Sequence, residues 1–178
     1  MTRKTTVYTI GHSTRSADAF VALLAAHGVR CLADVRTVAR SRHNPQFNDD
    51  ALAATLAANG IRYVRMAGLG GFRRASAESR NTGWRNASFR GYADYMQTPA
   101  FAENLDALIA LARECSVAIM CAEAVPWRCH RSLVADALLV RGIAAEEIAS
   151  ETKTTPHRLT PFARVRGTAI DYPGPAPD

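Results

Sequence analysis

The sequence predicts an α/β fold, a single domain whose mostly parallel sheet is covered by helices on both faces. Short runs of β-branched and other apolar residues alternate with segments in which apolar residues recur at helical spacing. The chain has 178 residues, 48% of them hydrophobic, which is enough to bury one full core. We therefore expect one domain over residues 1–170 and a poorly ordered, proline-rich tail over residues 171–178.

The first predicted unit is a strand, a helix and a second strand. Residues 6–10 form a β-branched and aromatic run, and residues 29–35 form the next run of this kind. Between them, Ser16 is placed to begin a helix and Gly28 to end it. A crossover of this kind is right-handed and leaves both strands parallel, so the loops that follow them lie at the same edge of the sheet.

The next segment, residues 36–90, is strongly basic and carries ten arginines against three acidic residues. Within it, the pattern predicts a short helix over residues 48–59 and a strand over residues 61–66. The connection that continues to Ser88 is longer than usual, which is typical of a functional loop, a mobile lid or a disordered insertion. The glycines at residues 68–71 do not have the spacing of a dinucleotide fingerprint or a P-loop, so the fold is Rossmann-like without either motif.

Three further helices and two strands complete the prediction. The helices are a short one around Tyr92 and Met96, a longer one with Thr98 as cap and Pro99 as first residue, and one from Pro126 to Gly142. The strands cover residues 117–120, which are apolar throughout, and residues 143–148, which we expect at an edge of the sheet.

Reactive side chains follow the predicted strand at residues 117–120. They leave the strand end or fall in or just after the first turn of the next helix, and they are Cys121, Glu123, Cys129, His130 and Arg131. The unpaired backbone amides at a helix start favour anionic groups. This composition is that of a functional site.

Polar groups also follow the first two predicted strands, with His12 and Ser13 after one and Arg36 after the other. Ligands of parallel α/β sheets bind beyond the carboxyl ends of the strands. We therefore expect a single cleft lined by His12, Arg36, Cys121, Glu123 and His130.

Several short motifs occur in a fixed order along the chain. They are Tyr8-Thr9-Ile10-Gly11-His12-Ser13, Asp34-Val35-Arg36, Ser41-Arg42, Leu69-Gly70-Gly71, Met120-Cys121-Ala122-Glu123, Cys129-His130-Arg131 and Leu159-Thr160-Pro161-Phe162-Ala163. This ordered set resembles the motifs of the domain of unknown function 488 family. The resemblance spans nearly the whole chain and implies an α/β domain of bacterial and archaeal type with no settled activity. Members often carry proline before the Ser-Arg pair, where this chain has Ala39-Arg40.

The first functional hypothesis is an enzyme acting on a phosphorylated or nucleotide-like anionic substrate. Cys129 has a predicted helix start and basic neighbours, which lower a thiol pKa, so we expect it to be the nucleophile in preference to Cys121. The candidate catalytic residues are Cys129, His130, Glu123 and His12. The candidate ligand-binding residues are Ser13, Arg36, Arg42, Cys121 and Arg131, whose guanidinium groups would hold the anion.

The second hypothesis is a metal site. Cys121, Cys129 and His130, with Glu123 as a further ligand, offer a donor set acceptable to zinc or iron. Their spacing fits no familiar ligand pattern.

The third hypothesis is a nucleic-acid-binding module. Of the 22 basic residues, 20 are arginine, and Phe72, Trp84 and Phe89 lie among the arginines of residues 36–90. Arginines that track a phosphate backbone and aromatics that stack on bases would produce this composition. A GC-rich genome would produce the same arginine bias, and no known reader motif is present.

The expected location is the cytoplasm. The N-terminus lacks the apolar core of a signal peptide, and no window approaches the roughly 18 apolar residues of a membrane span, so we expect no membrane partner. The four cysteines, Cys31, Cys115, Cys121 and Cys129, would then be reduced thiols, with Cys31 and Cys115 in the core.

Overall fold

The computed structural model describes residues 4–175, and these build one domain around a six-stranded sheet. Its strands are β1 (Thr6–Gly11), β2 (Cys31–Asp34), β3 (Arg62–Arg65), β4 (Val117–Cys121), β5 (Ala144–Ile148) and β6 (Thr154–Pro156). They lie in the order β3-β2-β4-β1-β5-β6. Neighbours pair in parallel except β5 and β6, which are antiparallel. A separate hairpin pairs β7 (Arg164–Arg166) with β8 (Ala169–Asp171).

Helices cover both faces of the sheet, which confirms the predicted α/β fold. They are α1 (Ala17–Ala26), α2 (Asp49–Ala58), α3 (Ala87–Tyr95), α4 (Pro99–Glu114) and α5 (Arg131–Leu139). Side chains of α1 and α2 pack in one apolar cluster, and those of α3, α4 and α5 pack in the other. Within the described part of the chain, no helix has the length and apolar character needed to cross a membrane.

The helix starts follow the predicted caps. Ser16 Oγ accepts a hydrogen bond from the amide of Ala19 at 3.1 Å, and Thr98 Oγ1 accepts one from the amide of Phe101 at 3.3 Å. Gly28 follows α1 with a φ of 68°, a left-handed conformation that glycine adopts without strain. Local sequence therefore determines where α1 and α4 begin.

Two predicted elements differ from the structure. The helix expected to start at Pro126 starts at Arg131 instead. Residues Pro126–Arg128 form only a single 3-10 turn, and Cys129 after them is extended. The strand expected at an edge, β5, lies between β1 and β6 instead. The first difference places Cys129 outside the helix.

Residues 171–175 of the expected tail include side-chain and backbone contacts with the domain, and residues 176–178 lie outside the described part of the chain. Tyr172 is fully buried, and its hydroxyl donates to Asp136 Oδ2 at 2.8 Å. Its amide donates to Asn81 Oδ1 at 2.9 Å, and the amide of Gly174 donates to Thr82 Oγ1 at 3.0 Å. A buried aromatic ring with a carboxylate partner fixes a segment whose proline content resembles that of a disordered tail.

The strand order brings together three loops that are distant in sequence. Strand β4 lies between β1 and β2, with Gly11 opposite Cys121 and Asp34 opposite Met120. The amides of His12 and Ser13 donate to the carbonyls of Cys121 and Ala122 at 2.9 and 3.0 Å. The loops after β1, β2 and β4 therefore meet at one edge of the sheet.

Candidate active site

A cavity of about 460 Å³ opens beyond the carboxyl ends of β2 and β4. Its polar lining comes from the loops after these strands, from the segment that leads to α5 and from the start of α3. The polar side chains on it include Arg36, Arg40, Ser41, Asn86, Ser88, Cys121, Glu123, Arg128, Cys129 and His130. Four of the five residues expected in one cleft line this cavity. The fifth, His12, is buried beside it, with Nε2 3.5 Å from Arg36 Nη1.

The centre of the site is a contact between Cys121 and Arg131. The guanidinium of Arg131 is fully buried, and its Nη1 lies 2.6 Å from Cys121 Sγ. Burial raises the pKa of the Cys121 thiol, but a hydrogen bond with Cys129 and the charge of Arg131 outweigh burial, so the pKa falls below its ordinary value. Of the two thiols that line the cavity, Cys121 therefore has the lower pKa.

Cys129 has the opposite character. Its hydrogen bond with the Cys121 sulfur, followed by its own burial, raises the pKa of the Cys129 thiol. The expected order of the thiol pKa values, with that of Cys129 lower than that of Cys121, is therefore reversed. The reason is geometric, because Cys129 precedes α5 and receives only the Arg131 amide, at 3.5 Å, whereas the guanidinium is directed to Cys121.

His130 is held as a neutral ring. Its Nε2 lies 2.9 Å from the carbonyl oxygen of Val35, which can only accept, so Nε2 carries the proton and Nδ1 faces Cys129 Sγ at 3.5 Å. Burial, and then the charges of Arg131 and Arg73, outweigh that hydrogen bond and lower the pKa of His130 to about 4. His130 is therefore suited to position the loop and not to donate a proton at neutral pH.

Arg36 reaches the cavity as half of a buried ion pair. Its Nε and Nη2 donate to the two carboxylate oxygens of Asp34 at 2.9 and 2.7 Å, and the Tyr63 hydroxyl donates to the same carboxylate at 2.5 Å. Next to this pair, His12 stacks on Phe47 with ring centroids 4.3 Å apart, and burial lowers the pKa of His12. Much of the charge of Arg36 is therefore neutralised inside the protein.

Three predicted ligand residues lie elsewhere. Arg42 is exposed and does not line the cavity, and Ser13 is half-buried, with a φ of 50° and a backbone bond to the loop after β4. Arg131 is fully buried and does not line the cavity. Sequence reasoning missed Arg40 on the lining and Glu147, whose Oε1 pairs with Arg131 Nη2 at 2.8 Å. The signal in the sequence was the acidic residue Glu147 within a predicted strand, because an acidic side chain is rarely buried without a partner.

The expected metal set does not form a metal site. Within residues 4–175, no group of three or more His, Cys, Asp or Glu side chains is arranged to hold a metal ion. Both ring nitrogens of His130 face protein atoms, and a guanidinium lies against Cys121 where a cation would bind. The donor types are suitable, but their surroundings are not.

The aromatic residues of the basic segment differ in exposure. Trp84 packs against Phe89 and Phe162, with ring centroids 5.0 and 4.8 Å apart, and is half-buried against the core. Phe72 is 79% exposed and lines the mouth of the cavity. Phe89 is half-buried and also lines the cavity, so two of the three expected aromatic residues lie on its lining.

Comparison with family models gives one match. The family described as "Domain of unknown function DUF488" matches residues 16–138, about two thirds of the chain. The matched range contains the cavity residues from Arg36 to His130. Comparison with curated proteins and with solved structures finds no match.

Proposed function

Because the chain belongs to the DUF488 family, whose description names no activity, we propose a function from the site itself. The protein is a cysteine-dependent enzyme in which Cys121 is the nucleophile and the substrate is a phosphorylated or nucleotide-like anion. The observation that carries this proposal is the distance of 2.6 Å between Arg131 Nη1 and Cys121 Sγ at the cavity floor. A buried guanidinium in that position stabilises a thiolate, which is the reactive form of cysteine.

The charges around the cavity support an anionic substrate. Arg40 and Arg128 are exposed at the lining, and no ion-pair partner within 4.0 Å is found for either among residues 4–175. Guanidinium groups bind phosphate in a planar, two-bonded geometry. Phe72 at the mouth offers a face on which a base or another flat group would stack.

The residues of the lining allow the following reaction steps on such a substrate. The Cys121 thiolate attacks the electrophilic centre, and for a phosphoryl group the S–P bond forms as the bond to the leaving oxygen breaks. Glu123, exposed at the cavity, transfers a proton to that oxygen. Water then hydrolyses the thiophosphoryl bond and regenerates the thiol. Cys129 stabilises the thiolate through its hydrogen bond, and His130 holds the loop.

Alkylation with iodoacetamide at mildly acidic pH tests the proposal. A limiting dose should label Cys121 before Cys129 in the native protein, and inorganic phosphate should slow this labelling by occupying the cavity. The variant Cys121→Ser should lose the fast reaction, while Cys129→Ser should keep it. If Cys129 is labelled first, or if Cys121 reacts no faster than Cys31, the nucleophile assignment is overturned.

A further inference from the structure

The two thiols of the cavity are a pair, and this arrangement has a use beyond nucleophilic attack. Cys121 and Cys129 line the same cavity. Both sulfurs contact Arg131, Cys121 Sγ through Nη1 at 2.6 Å and Cys129 Sγ through the amide at 3.5 Å. The two thiols therefore share one cavity and one neighbouring residue, and a disulfide between them would have a sulfur–sulfur bond of about 2 Å.

We propose that Cys121 and Cys129 are a redox-active dithiol, in which Cys121 reduces a hydroperoxide and Cys129 resolves the product as a reversible disulfide. The inference rests on the Cys121 thiolate of the proposed function, but not on the identity of the substrate of that function. It assigns Cys129 a chemical role of its own.

The first step is attack of the Cys121 thiolate on a peroxide oxygen. A sulfur–oxygen bond forms and the oxygen–oxygen bond breaks, giving a sulfenic acid at Cys121 and an alkoxide or hydroxide that takes a proton from solvent. The cavity admits a small hydroperoxide directly to Cys121, which lines it. The positive charge of Arg131 favours the anionic nucleophile at this point.

In the second step Cys129 attacks the oxidised sulfur. The sulfur–sulfur bond forms, the sulfur–oxygen bond breaks, and the leaving hydroxide departs with the Cys129 proton as water. In the reduced protein the hydrogen bond with Cys121, burial, and then the negative charge on Cys121 raise the pKa of the Cys129 thiol. Oxidation of Cys121 removes this charge and leaves Arg131, which lowers the pKa of Cys129. The first step thus activates the thiol needed for the second, and an external dithiol then reduces the disulfide.

The chain contains a matched control pair. Burial, followed by a hydrogen bond with Cys115, raises the pKa of the Cys31 thiol to about 12. Neither of these residues lines the cavity. This second pair should therefore stay reduced at peroxide concentrations that oxidise the first.

The experiment treats folded protein with one equivalent of hydrogen peroxide, followed by denaturing alkylation and tryptic mapping. Cys115 and Cys121 fall in one tryptic peptide, so the Cys115→Ala variant is mapped beside the wild type. The expected product in this variant is peptide 114–128 joined to peptide 129–131, with a mass lower by two hydrogen atoms. Dithiothreitol should restore both thiols. In Cys129→Ser, dimedone should trap a sulfenic acid at Cys121.

The outcomes separate this inference from the proposed function. Sulfinic acid at Cys121 with Cys129 still free, or a disulfide between Cys31 and Cys115 formed first, overturns the dithiol inference alone, provided that iodoacetamide still labels Cys121 fastest. Failure of Cys121 to react with either reagent overturns both. If Cys129→Ser does not fold, the Cys115→Ala map still decides the question.

Discussion

Glu147 on β5 and Arg131 at the start of α5 form an ion pair, with Oε1 and Nη2 2.8 Å apart, that fixes the guanidinium beside Cys121. A second bond joins Arg131 Nε to the other carboxylate oxygen at 3.3 Å, and Thr9 donates to that same oxygen. The carboxylate thus belongs to the site although it lies behind the cavity floor. It makes Glu147 a positioning residue for Cys121.

Removing the carboxylate of Glu147 should destabilise the fold more than removing that of Glu146. Glu147→Gln leaves the buried charge of Arg131 without its carboxylate, and we expect the free energy of unfolding to fall by about 3 kcal/mol. Glu146→Gln is the control, because Glu146 accepts a hydrogen bond only from Thr154 and has no basic partner within residues 4–175. Urea denaturation measures both. Equal losses in the two variants would contradict the role given to Glu147.

Anion binding should depend on Arg40 and Arg128 and be independent of Arg42. The first two line the cavity, whereas Arg42 is exposed outside it. We expect Arg40→Glu or Arg128→Glu to weaken phosphate binding by about tenfold or more, which is about 1.4 kcal/mol or more. Titration of phosphate against the melting temperature measures the effect. Loss of binding in Arg42→Glu alone would place the anion elsewhere, and no phosphate effect in the wild type would contradict the site.

Gly11 should be the glycine least tolerant of a side chain at this edge of the sheet. A Cβ there would lie 1.8 Å from the backbone oxygen of Glu123, so Gly11→Ala forces the β1 and β4 loops apart. We expect a loss of about 3 kcal/mol or more. Gly28→Ala is the comparison, since it has open space and only the strain of its φ of 68°, about 1–2 kcal/mol. Thermal unfolding measures the stability of both variants. A Gly28→Ala variant that is less stable than Gly11→Ala would contradict this prediction.

His130 should make the stability of the protein depend on pH below neutrality. Its folded pKa of about 4 lies under its ordinary value of 6.5, so between these values the unfolded chain binds a proton that the folded chain does not. Stability therefore falls as the pH decreases from 6.5 to 4, by about 3 kcal/mol from this residue. The free energy of unfolding of the wild type and of His130→Gln should be measured at several pH values. Parallel curves would show that His130 does not cause the loss.

Periodicity and caps in the sequence predict most of the fold. The strands that end near Gly11, Asp34 and Cys121 are readable because each is a short apolar run before a polar loop. Parallel crossovers then place their ends at one edge, which is why four of the five expected cleft residues line one cavity. These inferences use only local patterns and one rule of handedness.

The chemistry at that edge could not be predicted in the same way. Pro126 indicates a helix start, but one extended residue, Cys129, delays α5 to Arg131 and directs the guanidinium to Cys121. The partner that holds this guanidinium, Glu147, lies on another strand. Side-chain direction and contacts distant in sequence decide which thiol has the lower pKa, and neither is contained in motif spacing.

The position of β4 between β1 and β2 governs how the chain can be made as well as how it binds. These first two strands do not pair with each other. β2 pairs with β3 on one side, but β1 and the other edge of β2 remain unpaired until β4 leaves the ribosome. Until then, the nascent chain has open strand edges and uncovered apolar faces, the surfaces that holding chaperones bind. Slow translation before β4 should therefore lower the yield of folded protein, whereas a pause after β4 has emerged should not.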